Sequence, residues 1–303
     1  MIGKMSCRMN LPTLATPSAL FFAMTLALAA GCAQAPAAPP DAHAAAPALP
    51  PELRSARFIL LGEVHDNPQH HAWRAAWLRT MLADGRPTRV VFEQLDRAKD
   101  AELRQARSAT PSDSAAIARA GGLDEKGWRW PLHQPLFDAV LATRAEVVGG
   151  NLARDAVRAV VRQGPSAVPA DLAPRLDAPG WTPAQQGDTE ADIERGHCGA
   201  LPASQFAPMA LAQRVRDVAM AQAMLAAPPG TRVVLIAGNG HVRLDRGVPH
   251  HLRAAGVPAS QIVSVGFVET GEQPAPGTYG RTVVTARTER PDPCEAFGKK
   301  PAG

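Results

Sequence analysis

The chain is poor in aromatic residues, with one tyrosine in 303 residues, and it has only four cysteines. It lacks a Gly-x-Ser-x-Gly nucleophile elbow and a His-Glu-x-x-His zinc motif, so neither a serine hydrolase nor a zincin gains support. No apolar run reaches the roughly 20 residues that a membrane-spanning helix needs. The arginines are scattered rather than gathered in a stripe, and the formal net charge of +4 falls to +2 once Lys4 and Arg8 are set aside. Nucleic-acid binding therefore has no support.

What the N-terminus does have is an export pattern. Lys4 and Arg8 precede an apolar stretch from Leu20 to Ala30, which closes on Leu28-Ala29-Ala30-Gly31-Cys32. Such a run is too short to span and is read as a cleaved signal. Small residues before a cysteine fit a lipoprotein peptidase, so residues 1–31 are expected to be removed and Cys32 to become an acylated first residue that holds the chain to a lipid membrane. Ala33 offers no aspartate to favour inner-membrane retention, which directs the expectation to the periplasmic face of an outer membrane. Residues 32–51, rich in alanine and proline, read as a disordered tether. Residues 52–303 are long enough for one α/β domain.

With Cys7 in the signal and Cys32 lipidated, Cys198 and Cys294 remain. An oxidising compartment permits one disulfide between them, tying the C-terminal tail to a helical region, with free thiols as the alternative.

Short strand-like runs fall at Arg57–Gly62, Arg89–Glu93, Glu146–Gly150, Arg232–Ala237, Ile262–Val268 and Thr282–Ala286. The first four are almost continuously apolar, as in strands covered on both faces, which predicts a mostly parallel sheet flanked by helices. After the first strand, Asn67 can cap and Pro68 can open a helix that Asp84-Gly85-Arg86-Pro87 stops. The longer intervals 96–144 and 153–228 are expected to form an inserted helical cap subdomain.

Each of the first four strands ends in polar residues: Gly62-Glu63-Val64-His65-Asp66, Phe92-Glu93-Gln94, Gly149-Gly150-Asn151 and Ala237-Gly238-Asn239-Gly240-His241. Open α/β sheets place their ligand crevice at this edge. A glutamate directly behind an apolar run is costly to bury unpaired, so Glu63 must meet a cation, a proton donor or a metal. Glu63, His65, Glu93 and His241 are thus candidates for a divalent metal site or a water-activating centre, and each has the alternative of a structural hydrogen bond or ion pair. On the following helix His70, Trp73, Arg74, Trp77 and Met81 share one face, with His71 beside them. That face is either core contact or the wall of a cleft for a large planar ligand bearing carboxylates, with His70 or His71 as an iron ligand. His133, flanked by Trp128 and Trp130, is a further candidate.

The strings Leu61-Gly62-Glu63-Val64-His65-Asp66-Asn67-Pro68, Phe92-Glu93, Asn151-Leu152-Ala153-Arg154, Gln213…Asp217…Met220-Ala221, Ile236-Ala237-Gly238-Asn239-Gly240-His241-Val242 and Gly247-Val248-Pro249 together resemble the ChaN-like family of haem-binding lipoproteins. The resemblance covers roughly residues 55–270. It implies a periplasm-facing lipoprotein of haem or iron uptake, haem as cofactor, a homodimer that encloses it, and a haem receptor or transporter as partner. Arg74 or Arg154 would meet a propionate, and the axial ligand would be a histidine or Tyr279. The wider group includes erythromycin-esterase-like enzymes and Tiki-like metalloproteases, which puts a metal-dependent hydrolase on Glu63, His65, Glu93 and His241 as the competing reading.

Overall fold

The computed structural model describes residues 44–176 and 180–295. The signal segment 1–31, Cys32 and the first part of the tether lie outside the described residues.

In chain order the elements are α1 (Pro51–Ser55), β1 (Phe58–Leu61), α2 (Pro68–Leu82), β2 (Thr88–Asp96), α3 (Asp100–Ala109), α4 (Ser114–Ala120), α5 (Trp130–Leu141) and β3 (Glu146–Asn151). They continue with α6 (Arg154–Gln163), α7 (Ala173–Leu176), α8 (Pro183–Gly196), α9 (Phe206–Leu225), β4 (Arg232–Ile236), α10 (Val248–Ala254), β5 (Ile262–Glu269) and β6 (Arg281–Thr285). The six strands form one sheet in the order β3-β2-β4-β1-β5-β6, and every pairing is parallel. The expected α/β class, a parallel sheet flanked by helices, is what the chain adopts. No helix among the described residues is long and apolar enough to cross a membrane.

Both faces of the sheet are covered, which is why the strands are apolar at successive positions rather than at alternate ones. Ile59, Leu61, Val90, Phe92 and Val234 face the layer of α2 and α5. Phe58, Leu60, Val91, Val233 and Leu235 face α9 and α10. A smaller apolar cluster joins α6 and α7 to α9 through Val160, Leu172, Leu176 and Val215.

Strand β2 runs three residues past its expected end. Its register with β3 shifts between Phe92 and Asp96, so the polar pair Glu93-Gln94 rides on a bulge and is buried instead of terminating the strand.

Helix α2 starts as its sequence dictates. The Asn67 side chain accepts the backbone N–H groups of Gln69 and His70, and Pro68 fills the first position, where a missing N–H is harmless. Its far flank corrects the tether boundary. Residues 44–50 were assigned to the tether on composition, yet they lie along α2: Trp73 Nε1 donates to the Ala44 carbonyl at 2.9 Å, Trp77 Nε1 donates to the Pro47 carbonyl at 2.7 Å, and Leu49 is buried. A composition rule counts apolar side chains and misses a segment recruited through its carbonyls. Cys198 and Cys294 form a disulfide, joining the end of α8 to the C-terminal tail.

A chain that begins at Pro50 should be less stable to urea by about 1–3 kcal/mol, because two indole N–H bonds and the burial of Leu49 are lost. An unchanged unfolding midpoint would show that the segment only rests on α2.

Candidate functional site

The sheet order makes the site. Strand β4 lies between β1 and β2, so the segments following β1, β4 and β2 stand side by side at the carboxyl edge, about 5 Å apart, although their residues are far apart in sequence. Backbone contact there is close enough to demand glycine. A Cβ on Gly62 would overlap the Asn239 side chain, and one on Gly238 would lie 2.8 Å from His65 Cε1, 3.0 Å from His65 Nε2 and 3.6 Å from Glu93 Oε2. Asn239 is a structural pin, its amide exchanging hydrogen bonds with the backbone of Phe267.

Around this point the charges form two closed groups. In the first, Glu63 is buried and forms an ion pair with the fully buried Arg74. His65 Nδ1 lies 2.7 Å from Glu63 Oε1, and Gln94 Nε2 donates to the same oxygen at 3.4 Å. Arg74 also donates to the carbonyls of Leu61 and His70 and to His71 Nδ1, while His71 Nε2 donates to the His65 carbonyl at 2.9 Å. In the second, Glu93 accepts from Arg216 and from the Gly238 N–H, with His241 Nε2 at 3.2 Å, and His241 Nδ1 lies 2.6 Å from Asp217. Arg216 is steadied by Asn151 Oδ1 and Gln213 Oε1.

Burial pushes His70, His71 and His133 down to about 3, so they are neutral at ordinary pH. His241 goes the other way: burial opposes its charge, but the carboxylates of Glu93 and Asp217 win and raise it above 6.5. Burial works against the charge of Glu93 too, and the cationic His241 and Arg216 still hold it well below the usual carboxylate range.

The expected site residues divide accordingly. Glu63, His65, Glu93 and His241 converge, but they do not form a shared metal site. Each carboxylate already carries its own arginine, and the donor sets fall in separate groups. The one set among the described residues with ligand atoms within 4.8 Å of one another is Glu63, His71 and His133. There Arg74 bonds both Glu63 Oε2 and His71 Nδ1, so its charge takes the place a cation would need.

The α2 face is core contact and not a cleft wall, which corrects the placement of His70, His71, Trp73, Arg74 and Trp77 against a ligand. Both nitrogens of His70 are bonded, Nδ1 to the Val64 N–H and Nε2 to the Thr285 hydroxyl, and both of His71 are bonded as well. His133 is fully buried, with its Nε2 3.5 Å from Glu63 Oε1. Arg216 and Trp128 emerge as site residues that sequence reasoning did not select. Arg216 had only a faint signal, its place three residues after Gln213 and next to Asp217 on one helix.

Two hollows flank a common wall made of His65, Glu93, Trp128 and Arg216. One, of about 540 Å³, has Leu95, Leu152 and Val157 in its lining, with Lys99 and Arg154 among its cations. The other, of about 760 Å³, is more open and reaches Gln213, His241, Arg243, Pro274 and Tyr279. The ring of His65 stands edge-on to Trp128 with centroids 4.9 Å apart, and its side chain is half-exposed at 52%.

The family model described as "Haem-binding uptake, Tiki superfamily, ChaN" matches residues 49–252. The chain belongs to this family. Among solved structures it is similar to ChaN of Campylobacter jejuni, described with cofacial haem binding, at 22% identity over 74% of this chain and 85% of that one, with a TM-score of 0.61. A more distant likeness is to an erythromycin esterase mutant in its open conformation, at 15% identity over 76% of each chain and a TM-score of 0.39. No curated protein matches the chain in sequence.

The protonation pattern sets a stability profile. Between about 3 and 6.5 the unfolded chain takes up protons that neutral His70, His71 and His133 refuse, so stability rises with pH. Above 6.5 folded His241 keeps a proton that the unfolded chain gives up, so its contribution is lost as pH climbs through the raised value. Urea unfolding should show greatest stability above pH 6.5 and below the raised value of His241, and His241→Gln should flatten the alkaline limb. An alkaline limb that is the same in both proteins would contradict the assigned imidazolium.

Proposed function

We propose that the protein binds haem in the 540 Å³ hollow, with His65 as the iron ligand, and serves haem or iron uptake as a lipid-anchored protein on the periplasmic face of the outer membrane. The observation that carries the reading is His65 itself. Its Nδ1 is fixed by the buried Glu63 carboxylate, its side chain is half-exposed, and its Nε2 has no hydrogen-bond partner among the described residues. A carboxylate behind one imidazole nitrogen sets the tautomer and makes the other nitrogen a better ligand.

The lining suits the rest of the molecule. Leu95, Leu152, Val157 and the Trp128 indole offer apolar surface to a flat ring, and the hollow is of ordinary ligand size. Arg154 and Lys99 are the cations for propionates. Arg154, whose side chain is 66% exposed, has among the described residues the half-exposed Asp124 to exchange for one. Haem, when bound, supplies the iron centre; the chain binds and orients it. Tyr279 is the weaker candidate, since it borders the other hollow and burial pushes its phenol up to about 12, away from the phenolate that iron needs. A homodimer closing over the exposed side of the ring fits a ligand residue that remains half open to solvent. A haem receptor or transporter is the partner this role requires.

Adding hemin to the purified protein should produce a Soret band. His65→Ala should weaken hemin binding and shift the band, and Tyr279→Phe should leave both unchanged. Absence of a band defeats the haem reading, and loss on Tyr279→Phe with His65→Ala unaffected transfers the ligand role to the tyrosine. For the anchor, Cys32→Ser should move the protein from the membrane to the soluble periplasmic fraction; equal partition of both forms would refute acylation.

A further inference from the structure

We infer that the Cys198–Cys294 disulfide is a redox-controlled clamp that keeps the two histidine-bearing loops, residues 63–69 and 238–247, closed on each other where Gly238 packs against the His65 ring, and that its reduction loosens His65 in the wall shared by the two hollows and speeds ligand release. The consequence for ligand rests on the haem reading; the clamp itself does not.

A continuous chain of contacts leads from one loop to the other through this bond. On the first loop Asp66 meets Arg290 of the tail at 2.9 Å, the Asn67 amide donates to the Ala286 carbonyl at 2.9 Å, and the Ala286 N–H donates to Gln69 Oε1. Arg290 also grips Glu269 at the end of β5 through two nitrogens. Four residues on, Cys294 bonds Cys198 at the end of α8. Helix α8 holds the second loop: Asp192 pairs with Arg246, and Gln185 donates to the Asp245 carbonyl. The Val248 N–H then donates to the His241 carbonyl at 2.8 Å, which closes the circuit.

The backbone at Cys198 supports a retained purpose for the sulfur. Cys198 has φ of +56° just past the cap of α8, a left-handed position where glycine is usual and other side chains are disfavoured. Gly199 follows directly with the same sign of φ, so the chain could turn without a cysteine there. The other links in the circuit are part-buried ion pairs and hydrogen bonds, each of which can open and close by itself. The disulfide is the covalent link.

Both cysteines are half-buried and within reach of a dithiol reductant. A thiolate of that reductant attacks one sulfur, the Cys–Cys bond breaks and a mixed disulfide forms. The second reductant thiolate displaces it, so the reductant ends as its own disulfide and the protein gains two electrons and two protons as two thiols.

Hydrogen–deuterium exchange of the full chain, oxidised and treated with dithiothreitol, tests the clamp. Exchange should quicken in 63–69 and 238–247 as well as in 183–199 and 286–295, with β1, β2, β4 and α9 unchanged. Quickening confined to 183–199 and 286–295 overturns the inference. Arg290→Met, with the disulfide intact, should loosen 63–69 alone; no change there breaks the proposed circuit.

Hemin release is measured on Cys198→Ser/Cys294→Ser, because a reductant would also reduce the iron, and should be about tenfold faster, within the range of coupling between distinct sites. Equal release rates would remove ligand control from the clamp. If the oxidised wild type takes up no hemin, the haem reading fails, and the exchange data still decide the clamp.

Discussion

The structure at the carboxyl edge depends on burying two carboxylates, and each is made tolerable by its own arginine. Glu63 and Arg74 are both without exposed side-chain surface. A buried pair of this kind contributes little net stability against an apolar pair of the same shape, but taking away one partner leaves the other stranded at a cost of about 3–5 kcal/mol. The pair therefore fixes the arrangement more than it strengthens it. Glu63 orients His65, Arg74 occupies the lone pair of His71, and His71 in turn holds the His65 carbonyl. One ion pair so determines the direction of the half-exposed imidazole of His65, which stands between the two hollows.

The second carboxylate repeats the solution from another direction. Glu93 comes from the bulged end of β2, Arg216 and Asp217 from the middle of α9, and His241 from the bend after β4. Only a sheet in which β4 is inserted between β1 and β2 can bring these parts against the Glu63 group. The glycines at 62 and 238 are the local condition for that meeting, because a side chain at either would separate the loops. Topology and residue choice are two descriptions of one steric constraint.

Much of this was legible in the chain because burial leaves a pattern. Apolar runs marked the strands, polar residues at their ends marked the edge, and Asn67-Pro68 marked the start of α2. What could not be read was which distant group satisfies each buried polar atom. Arg74 and the two tryptophans share a helix face, and a charged group beside indoles looks like the rim of a ligand cleft. Their partners prove to be Glu63, eleven positions back, and the carbonyls of Ala44 and Pro47, about thirty back. Arg216 gave little signal for the same reason: an arginine on a helix reads as solvent-facing unless the carboxylate beneath it is known. Periodicity reports which side of an element is buried, and pairing across the fold decides what a buried charge is for.

The pairing also bears on the choice between chemistries. A metal site needs donors whose charge is uncompensated before the ion arrives, since the ion supplies the neutralising charge. Here both carboxylates meet a guanidinium or an imidazolium beforehand, so a divalent ion would have to displace an arginine from each group it entered, the fully buried Arg74 from one and the half-buried Arg216 from the other. A flat apolar ligand makes the opposite demand. It needs a wall whose polar atoms are already satisfied, so that little hydrogen bonding is sacrificed when water leaves, together with one unsatisfied donor and cations at the rim. His65 Nε2, the Trp128 face and the Arg154 guanidinium meet that demand. On the haem reading proposed above, pre-paired charge is what suits a cluster rich in glutamate and histidine to a macrocycle and not to a free ion.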